Sequence, residues 1–322
     1  MKISALKVLP LFFFISVSLL FMPAAHAIGT GGDLPRPKKL PPEIEDVIYE
    51  KNSLYQFIKI TESKRRGERY IQNTNRMLKQ GGVYINEPDK LLFEYTRLSF
   101  IGLAFLEQEP KDALFIGMGA GVMPRYFHKY YPDTNIDSVE IDPDVYDVAK
   151  KYFFYKDEKT MKVYIKDGRV FMKKSKKKYD IIFLDAYQGG HIPFHLTTRE
   201  FFQVVKKRLK PGGVIVANIL AEDRNRFYYS MMKTYKKEFP HLYMFEGFAS
   251  DNYIFVTRVE DTKIDKFTVW QNASKLQDEK KFDIYLPEMS NAYSYYSEDD
   301  NKAEILTDDF APVNLYKHMS AD

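Results

Sequence analysis

The chain has 322 residues, 45% of them hydrophobic and 16% aromatic, with 48 basic and 44 acidic residues giving a formal net charge of +4. That length and apolar content provide a sizeable core and exclude a disordered chain. So small a charge excess argues against nucleic acid as a partner, and the absence of cysteine excludes a disulfide framework and a lipoprotein anchor.

In chain order, Lys2 and Lys7 flank the start of an apolar stretch, Val8 to Met22, that leads into Ala25-His26-Ala27. A charged start, an apolar run of this length and an A-x-A site describe a secretory signal peptide over residues 1–27, so the protein is expected to be periplasmic or secreted. The run is shorter than the ~20 residues a membrane span needs, so no stable span is expected after cleavage; an uncleaved anchor is the alternative. Residues 28–45, with Gly29, Gly31, Gly32, Pro35, Pro37, Pro41 and Pro42, read as a linker.

Residues 46–88 have short strand-like runs such as Tyr55 to Ile60, punctuated by Gly67 and Gly81-Gly82, and read as a small β-rich N-terminal domain. Apolar spacing at Leu91, Leu92, Tyr95, Leu98 and Leu103 predicts a helix over Leu91 to Leu106.

Residues 89–260 read as one domain, and beyond Pro110 strands and helices alternate. Strands are predicted at Ala113–Ile116, Ile136–Ile141, Lys162–Ile165, Tyr179–Leu184 and Val214–Ile219. Helices are predicted at Val122–Tyr131, Pro143–Tyr152 and Arg169–Lys174, with another opened by a capping box at Thr197-Thr198-Arg199-Glu200 and ending near Leu209. Continuous apolar strands in such alternation predict an α/β fold: a mostly parallel, doubly wound sheet of Rossmann type, with helices on both faces. Pro211-Gly212-Gly213 reads as a turn, and Asn252 to Arg258 as an antiparallel strand at the far edge. Residues 261–322 form a polar C-terminal extension with no assigned structure.

Candidate chemistry gathers at the carboxyl ends of the predicted strands. Gly117-Met118-Gly119-Ala120-Gly121 lies between a strand and a helix, where glycines allow a tight turn and a helix N-terminus offers free N–H groups. A purely structural turn uses the same residues. The next strand ends Val139-Glu140-Ile141-Asp142-Pro143, placing Glu140 to accept ribose hydroxyls, while Asp142 before Pro143 can equally cap the following helix. Asp167-Gly168 and Asp185 end the third and fourth strands. Four strand ends of this kind, with no Lys or Arg after the glycine loop to meet a phosphate, predict a nucleoside ligand with a sulfonium or thioether tail rather than a dinucleotide. His191 and His195 either line a substrate mouth or serve as structural hydrogen bonders. No metal-ligand spacing is present.

With these residues the chain resembles the spermidine synthase family, and more narrowly its bacterial spermidine synthase-like members. The most specific stretches are Val139 to Pro143, Asp167-Gly168-Arg169, Asp185-Ala186-Tyr187, Ile192 to Thr197, Phe201-Phe202, Leu209 to Gly213 and the tail Leu306 to Val313. The resemblance implies a small N-terminal β-domain, a methyltransferase-like Rossmann domain and, often, a homodimer. It implies S-adenosylmethionine or its decarboxylated form as donor, without a metal, and aminopropyl transfer to a small amine or polyamine. The donor site would comprise Gly117, Gly119, Gly121, Glu140 on the ribose, and Asp167 with Gly168 at the adenine. Asp185 would orient or deprotonate the attacking amine.

The family pattern is not complete. Ala120 stands where the family has an Asp in the glycine loop, Gln188 where a second Asp follows the catalytic one, and Phe93-Glu94 where a Tyr-His pair is usual. Glu94, Tyr187 and Gln188 are then the acceptor-binding residues that the resemblance implies. Two other readings stay open on the same scaffold: methyl transfer from intact S-adenosylmethionine, and a non-catalytic exported binding protein.

Overall fold

The computed structural model describes residues 44–72, 79–187, 191–294 and 303–309. The predicted leader and nearly all of the predicted linker lie outside them. From Ile44 onward the chain forms one compact unit.

Four antiparallel strands come first: β1 (Asp46–Asn52), β2 (Phe57–Ser63), β3 (Glu68–Gln72) and β4 (Lys79–Tyr84), paired in chain order. Alternation in β2 places Ile58 and Ile60 in the core, both fully buried. This sheet is tied to the helix Pro143–Tyr152 by specific contacts. Arg69 donates to the Tyr152 carbonyl at 2.6 Å, and Lys51 pairs with Asp144 at 2.6 Å.

The second sheet has eight strands: β5 (Asp112–Ile116), β6 (Asn135–Glu140), β7 (Met161–Ile165), β8 (Tyr179–Leu184), β9 (Leu209–Leu220), β10 (Leu242–Glu246), β11 (Asn252–Arg258) and β12 (Tyr293–Ser294). Their spatial order is β12-β10-β11-β9-β8-β5-β6-β7, with β9-β8-β5-β6-β7 parallel and the rest antiparallel. The expected Rossmann-type α/β architecture with a small β-domain ahead of it is therefore present.

Both faces of the sheet are covered, which is why its strands read as unbroken apolar runs. Along β5, Ala113 and Phe115 join a core with Phe127 and Phe183, where the Phe115 and Phe183 rings stack at 4.5 Å. Leu114 and Ile116 join the opposite core with Phe201, Phe202 and Met231. The helices on the two faces include α2 (Val122–Tyr130), α3 (Pro143–Tyr152), α4 (Gly168–Lys174), α5 (Arg199–Lys206) and α6 (Tyr228–Glu238). Among the described residues no helix is long and apolar enough to cross a membrane.

Four local expectations change. The helix predicted over Leu91 to Leu106 is a short α1 (Glu94–Ser99) continued by a 3₁₀ helix, Phe100–Phe105. All six residues of that second piece are buried, and a Cβ on Gly102 would lie 2.2 Å from Val216 Cγ2, so the segment is wedged against β9. The cap of α5 is Thr198, whose hydroxyl accepts the Phe201 N–H, one residue later than expected, and α5 stops at Lys206. Glu200, the acidic member of the expected capping box, instead accepts the Asp308 N–H at 2.9 Å.

The Pro211-Gly212-Gly213 turn lies inside β9 as an irregularity in its pairing with β8; Gly212 has φ +73° and donates its N–H to Glu260. Finally β11 is antiparallel as expected but is not the edge, because β10 and then β12 lie beyond it. The C-terminal region supplies that last strand, and also α7 (Lys266–Lys280) and α8 (Leu286–Met289).

Candidate active site

A cavity of about 490 Å³ opens over the carboxyl ends of the parallel strands. Its wall contains Gly117, Met118, Gly119, Ala120, Glu140, Asp167, Gly168, Asp185, Tyr187, His191 and His195. β4 closes another side with Lys79, Gln80 and Gly81, and the β1–β2 connection adds Tyr55 and Gln56. This is the crevice in which a doubly wound sheet holds its ligand, and the volume suits a small organic molecule.

The glycine loop between β5 and α2 needs its glycines for backbone reasons. Gly117, Gly119 and Gly121 have φ of +89°, +51° and +69°. At Gly117 space is decisive as well, since a Cβ there would lie 2.3 Å from the Asp185 carbonyl oxygen. Ala120 is buried, and the bare Cα of Gly81 lets β4 approach it closely.

Glu140, at the end of β6, is buried and supports this loop. One of its oxygens accepts the Met118 and Gly119 N–H groups at 3.2 and 3.3 Å, and the other accepts the Asp142 N–H at 3.1 Å. Burial raises its pKa, and the three amides oppose that rise. Asp142 is a helix cap, as one of its two readings had it: its carboxylate accepts the Asp144 N–H at 3.0 Å, and Ser53 donates to it.

Asp167 caps α4 by accepting the Val170 N–H at 2.8 Å, and its other oxygen meets His195 Nε2 at 2.7 Å. His195 thus lines the cavity and also makes a hydrogen bond to a candidate adenine residue.

Asp185 follows β8 and opens onto the cavity, with the surrounding protein removing most of its hydration. Burial pushes its carboxyl pKa up to about 7, offset in part by one hydrogen bond, from Asn218 Nδ2 at 2.8 Å. Tyr95 and Tyr187 also face it, and its charge adds to the burial that raises both phenols. Tyr187 donates to the Asn218 carbonyl at 2.9 Å, and Tyr95 to the Gln80 carbonyl at 2.9 Å. A carboxyl that titrates near neutrality beside a cavity can take a proton from an ammonium.

The cavity wall brings together Gly117, Gly119, Glu140, Asp167, Gly168, Asp185 and Tyr187, while Gly121 is not among its residues. Glu94 is not among the residues of the cavity wall. Its carboxylate accepts three successive N–H groups, from Phe248 at 3.0 Å, Ala249 at 2.7 Å and Ser250 at 2.8 Å, and so anchors the β10–β11 loop. At the start of α1 it is near the acceptor side in sequence but spent on that loop. Gln188 lies outside the described residues.

Sequence reasoning missed Asn218 and Asn252, which both line the cavity. The signal available for Asn218 was a carboxamide inside the apolar run Val214 to Leu220. Among the described residues no cluster of three metal-ligating side chains is present.

Comparison with known proteins agrees with this geometry. Residues 96–280 match the spermine/spermidine synthase domain. The chain is 31% identical over 285 residues to a polyamine aminopropyltransferase of Vibrio vulnificus, covering 84% of this chain and 91% of that one. A probable spermidine synthase from Corynebacterium glutamicum shares the fold with a TM-score of 0.64 at 21% identity, over 82% of this chain and 97% of that one. A spermidine synthase in complex with the transition-state analogue AdoDATO does so with a TM-score of 0.59 at 22% identity, over 85% and 88%.

Proposed function

The chain belongs to the spermine/spermidine synthase family, and on that premise we propose that it transfers an aminopropyl group from decarboxylated S-adenosylmethionine to a small amine or polyamine. The observation that carries this reading is Asp185, with a pKa near 7, on the wall of a cavity that also holds the glycine loop, Glu140 and Asp167.

The donor supplies an alkyl carbon activated by a sulfonium. The amine nitrogen forms a bond to that carbon, the carbon–sulfur bond breaks, and its electron pair leaves with a neutral thioether. No acid is needed for such a leaving group. A base is needed, because an ammonium has no free electron pair. Among the described residues, none makes a hydrogen bond to Asp185 Oδ2 that competes with an incoming ammonium, whereas Oδ1 is held by Asn218. Asp185 therefore binds and orients the ammonium and takes its proton as the nitrogen attacks.

The donor half is assigned to the other strand ends. The N–H groups of the glycine loop and the Glu140 carboxylate suit ribose hydroxyls. A ribose whose hydroxyls donated to Glu140 would replace the Met118 and Gly119 N–H groups on that carboxylate. Asp167, fixed by the α4 N-terminus and His195, suits an exocyclic amine of adenine. Tyr187 and the Asn218–Asn252 side of the cavity are left for the acceptor.

The test is a transfer assay with decarboxylated S-adenosylmethionine and a panel of diamines, following release of methylthioadenosine. Turnover that Asp185→Asn abolishes supports the reading. Methyl transfer from the intact donor, with no aminopropyl product, overturns it.

We also propose that the protein is exported, on the strength of the charged start, the Val8 to Met22 run and Ala25-His26-Ala27. Expression in a Gram-negative host, fractionation and N-terminal mass analysis test this. A periplasmic chain beginning at Ile28 is expected, and a cytoplasmic chain retaining residues 1–27 refutes it.

A further inference from the structure

An ionised carboxylate only accepts hydrogen bonds, so the group beside Asp185 has to present an N–H. Asn218 does so from β9. A carboxamide is two-faced, however: half a turn exchanges its NH₂ for its carbonyl, and a carbonyl directed at a carboxylate repels it. Asp185 alone gives Asn218 a preference only while it is ionised. A second group has to hold the carboxamide when Asp185 carries a proton.

That group is Asn252, the first residue of β11. Its Nδ2 donates to Asn218 Oδ1 at 2.7 Å. β9 and β11 pair antiparallel, with Asn218 opposite Ile254, so Asn252 is a diagonal neighbour on the same face of the sheet. The direction of the chain follows from its end: a carboxylate at 185 requires NH₂ from Asn218, which leaves the Asn218 carbonyl for the NH₂ of Asn252.

Asn252 is itself held. Its N–H donates to the Ser250 carbonyl at 2.7 Å, and its carbonyl accepts the Gly247 N–H at 2.9 Å, closing the loop between β10 and β11. Glu94 then fixes that loop to α1 through the three N–H groups of residues 248–250.

We infer that Asn252 is a positioning residue for the transfer reaction. It holds the Asn218 carboxamide so that N–H faces Asp185, and Glu94 holds the loop from which Asn252 extends. This rests on the reading of Asp185 as the base. It gives Glu94 a role at the reaction centre without contact to substrate.

The groups facing Asp185 are Tyr95 from α1, Tyr187 from the segment after β8 and Asn218 from β9. His191, Asp223 and Arg224 line the same cavity. Asn252 is neutral, so any change in Asp185 titration on its replacement by another neutral residue reports on the carboxamide.

The test uses the full chain with Asn252→Ala, Asn252→Asp and Glu94→Gln, and reads both the kcat–pH profile and the carboxyl titration of Asp185 by ¹³C NMR. Asn252→Ala frees the carboxamide and should move the Asp185 titration up by about half a unit to one unit. Asn252→Asp can only accept, so it draws the Asn218 NH₂ away and turns the carbonyl toward Asp185. A larger upward shift and a roughly 10- to 100-fold fall in kcat near neutral pH are expected, with donor KM unchanged. Glu94→Gln should shift the titration in the same direction by less.

If Asn252→Ala and Glu94→Gln fold normally and leave both the titration and kcat at wild-type values, the inference is overturned. An Asp185→Asn protein that still transfers the aminopropyl group refutes the underlying function instead. The NMR titration decides the positioning role even when turnover is absent.

Discussion

Arg169 and Asp308 form a two-pronged ion pair across 139 residues of chain, with Arg169 Nη1 2.7 Å from Asp308 Oδ1 and its Nη2 on Oδ2. Arg169 is buried in the first turn of α4, two residues after Asp167, and Thr198 donates to the same carboxylate at 2.8 Å. The segment 303–309 is thereby tied to the helix whose N-terminus carries a candidate adenine residue. Replacing Asp308 by Ala leaves the buried Arg169 guanidinium without its carboxylate, and because Asp308 is itself partly exposed the change is worth about 1–3 kcal/mol. A lower Tm and weaker donor binding are expected together, read by calorimetry. Unchanged donor affinity in a destabilised protein would separate the tail from the site.

The same pair predicts an acid-labile contribution to stability. Hydrogen bonding to Arg169 holds the Asp308 carboxyl below its ordinary range. A depressed carboxylate contributes stability that is present above its unfolded pKa of about 4 and lost as pH falls through the lower folded value. The wild-type protein should therefore lose more stability between pH 5 and pH 2 than Asp308→Asn does. Parallel Tm–pH curves for the two proteins refute this.

Asp185 has the opposite sign. Its folded pKa of about 7 lies above the unfolded value, so ionising it in the folded state opposes folding. The cost is absent below about pH 4, grows as pH rises toward 7 and is constant above it. Asp185→Asn should raise stability at pH 8 by an amount on the order of a few kcal/mol and leave it nearly unchanged at pH 4, while transfer activity falls by about 100-fold or more. Thermal scans at the two pH values check the first part. Equal changes in Tm at both would mean that the carboxyl titrates normally.

Much of the donor half was legible because it is local. A glycine loop between an apolar strand and a helix, and an acidic residue at the end of each next strand, are short-range patterns, and Glu140, Asp167 and Asp185 do gather on one cavity. The Pro143–Tyr152 helix and the Tyr179–Leu184 strand have the bounds read from proline, glycine and apolar pattern. What was not legible depends on pairing across the chain. The antiparallel direction of β11 was legible, but Asn218 and Asn252 meet because of the register in which β11 pairs with β9, and nothing near either residue sets that register. Glu94 stood as an acceptor residue only through the resemblance, which aligns Phe93-Glu94 with a Tyr-His pair, whereas its carboxylate is spent on amides 154 to 156 residues away. The 3₁₀ segment at 100–105 escaped for a similar reason: an all-apolar run carries no periodic face, and its path is set by Gly102 against Val216.

The glycine loop separates two kinds of constraint. Gly119 has a positive φ but open space around its Cα, so Gly119→Ala meets only the left-handed penalty of about 1 kcal/mol. Gly117 has a positive φ and also the Asp185 backbone 2.3 Å from where a Cβ would be. Gly117→Ala should therefore destabilise by clearly more, on the order of 3 kcal/mol, and displace the Asp185 carboxylate, lowering kcat as well. Urea unfolding of the two variants gives the comparison, and equal losses would mean that the β5–β8 contact can relax.

Glu140 tests whether the loop is organised for the donor. Its carboxylate accepts from three backbone amides, and Gln offers one oxygen and one NH₂ in its place. In Glu140→Gln an N–H then faces an N–H on one side, so either the loop or the segment after β6 loses its support. Because Asp185 is held from β9 by Asn218 rather than from the loop, the chemical step should change little once the site is filled. The expected result is a donor KM raised about 10- to 100-fold with kcat reduced less than about 5-fold, the pattern of lost ground-state and transition-state binding in equal measure. A fall in kcat as large as that of Asp185→Asn, with donor KM unchanged, would place Glu140 in the chemistry and not in donor binding.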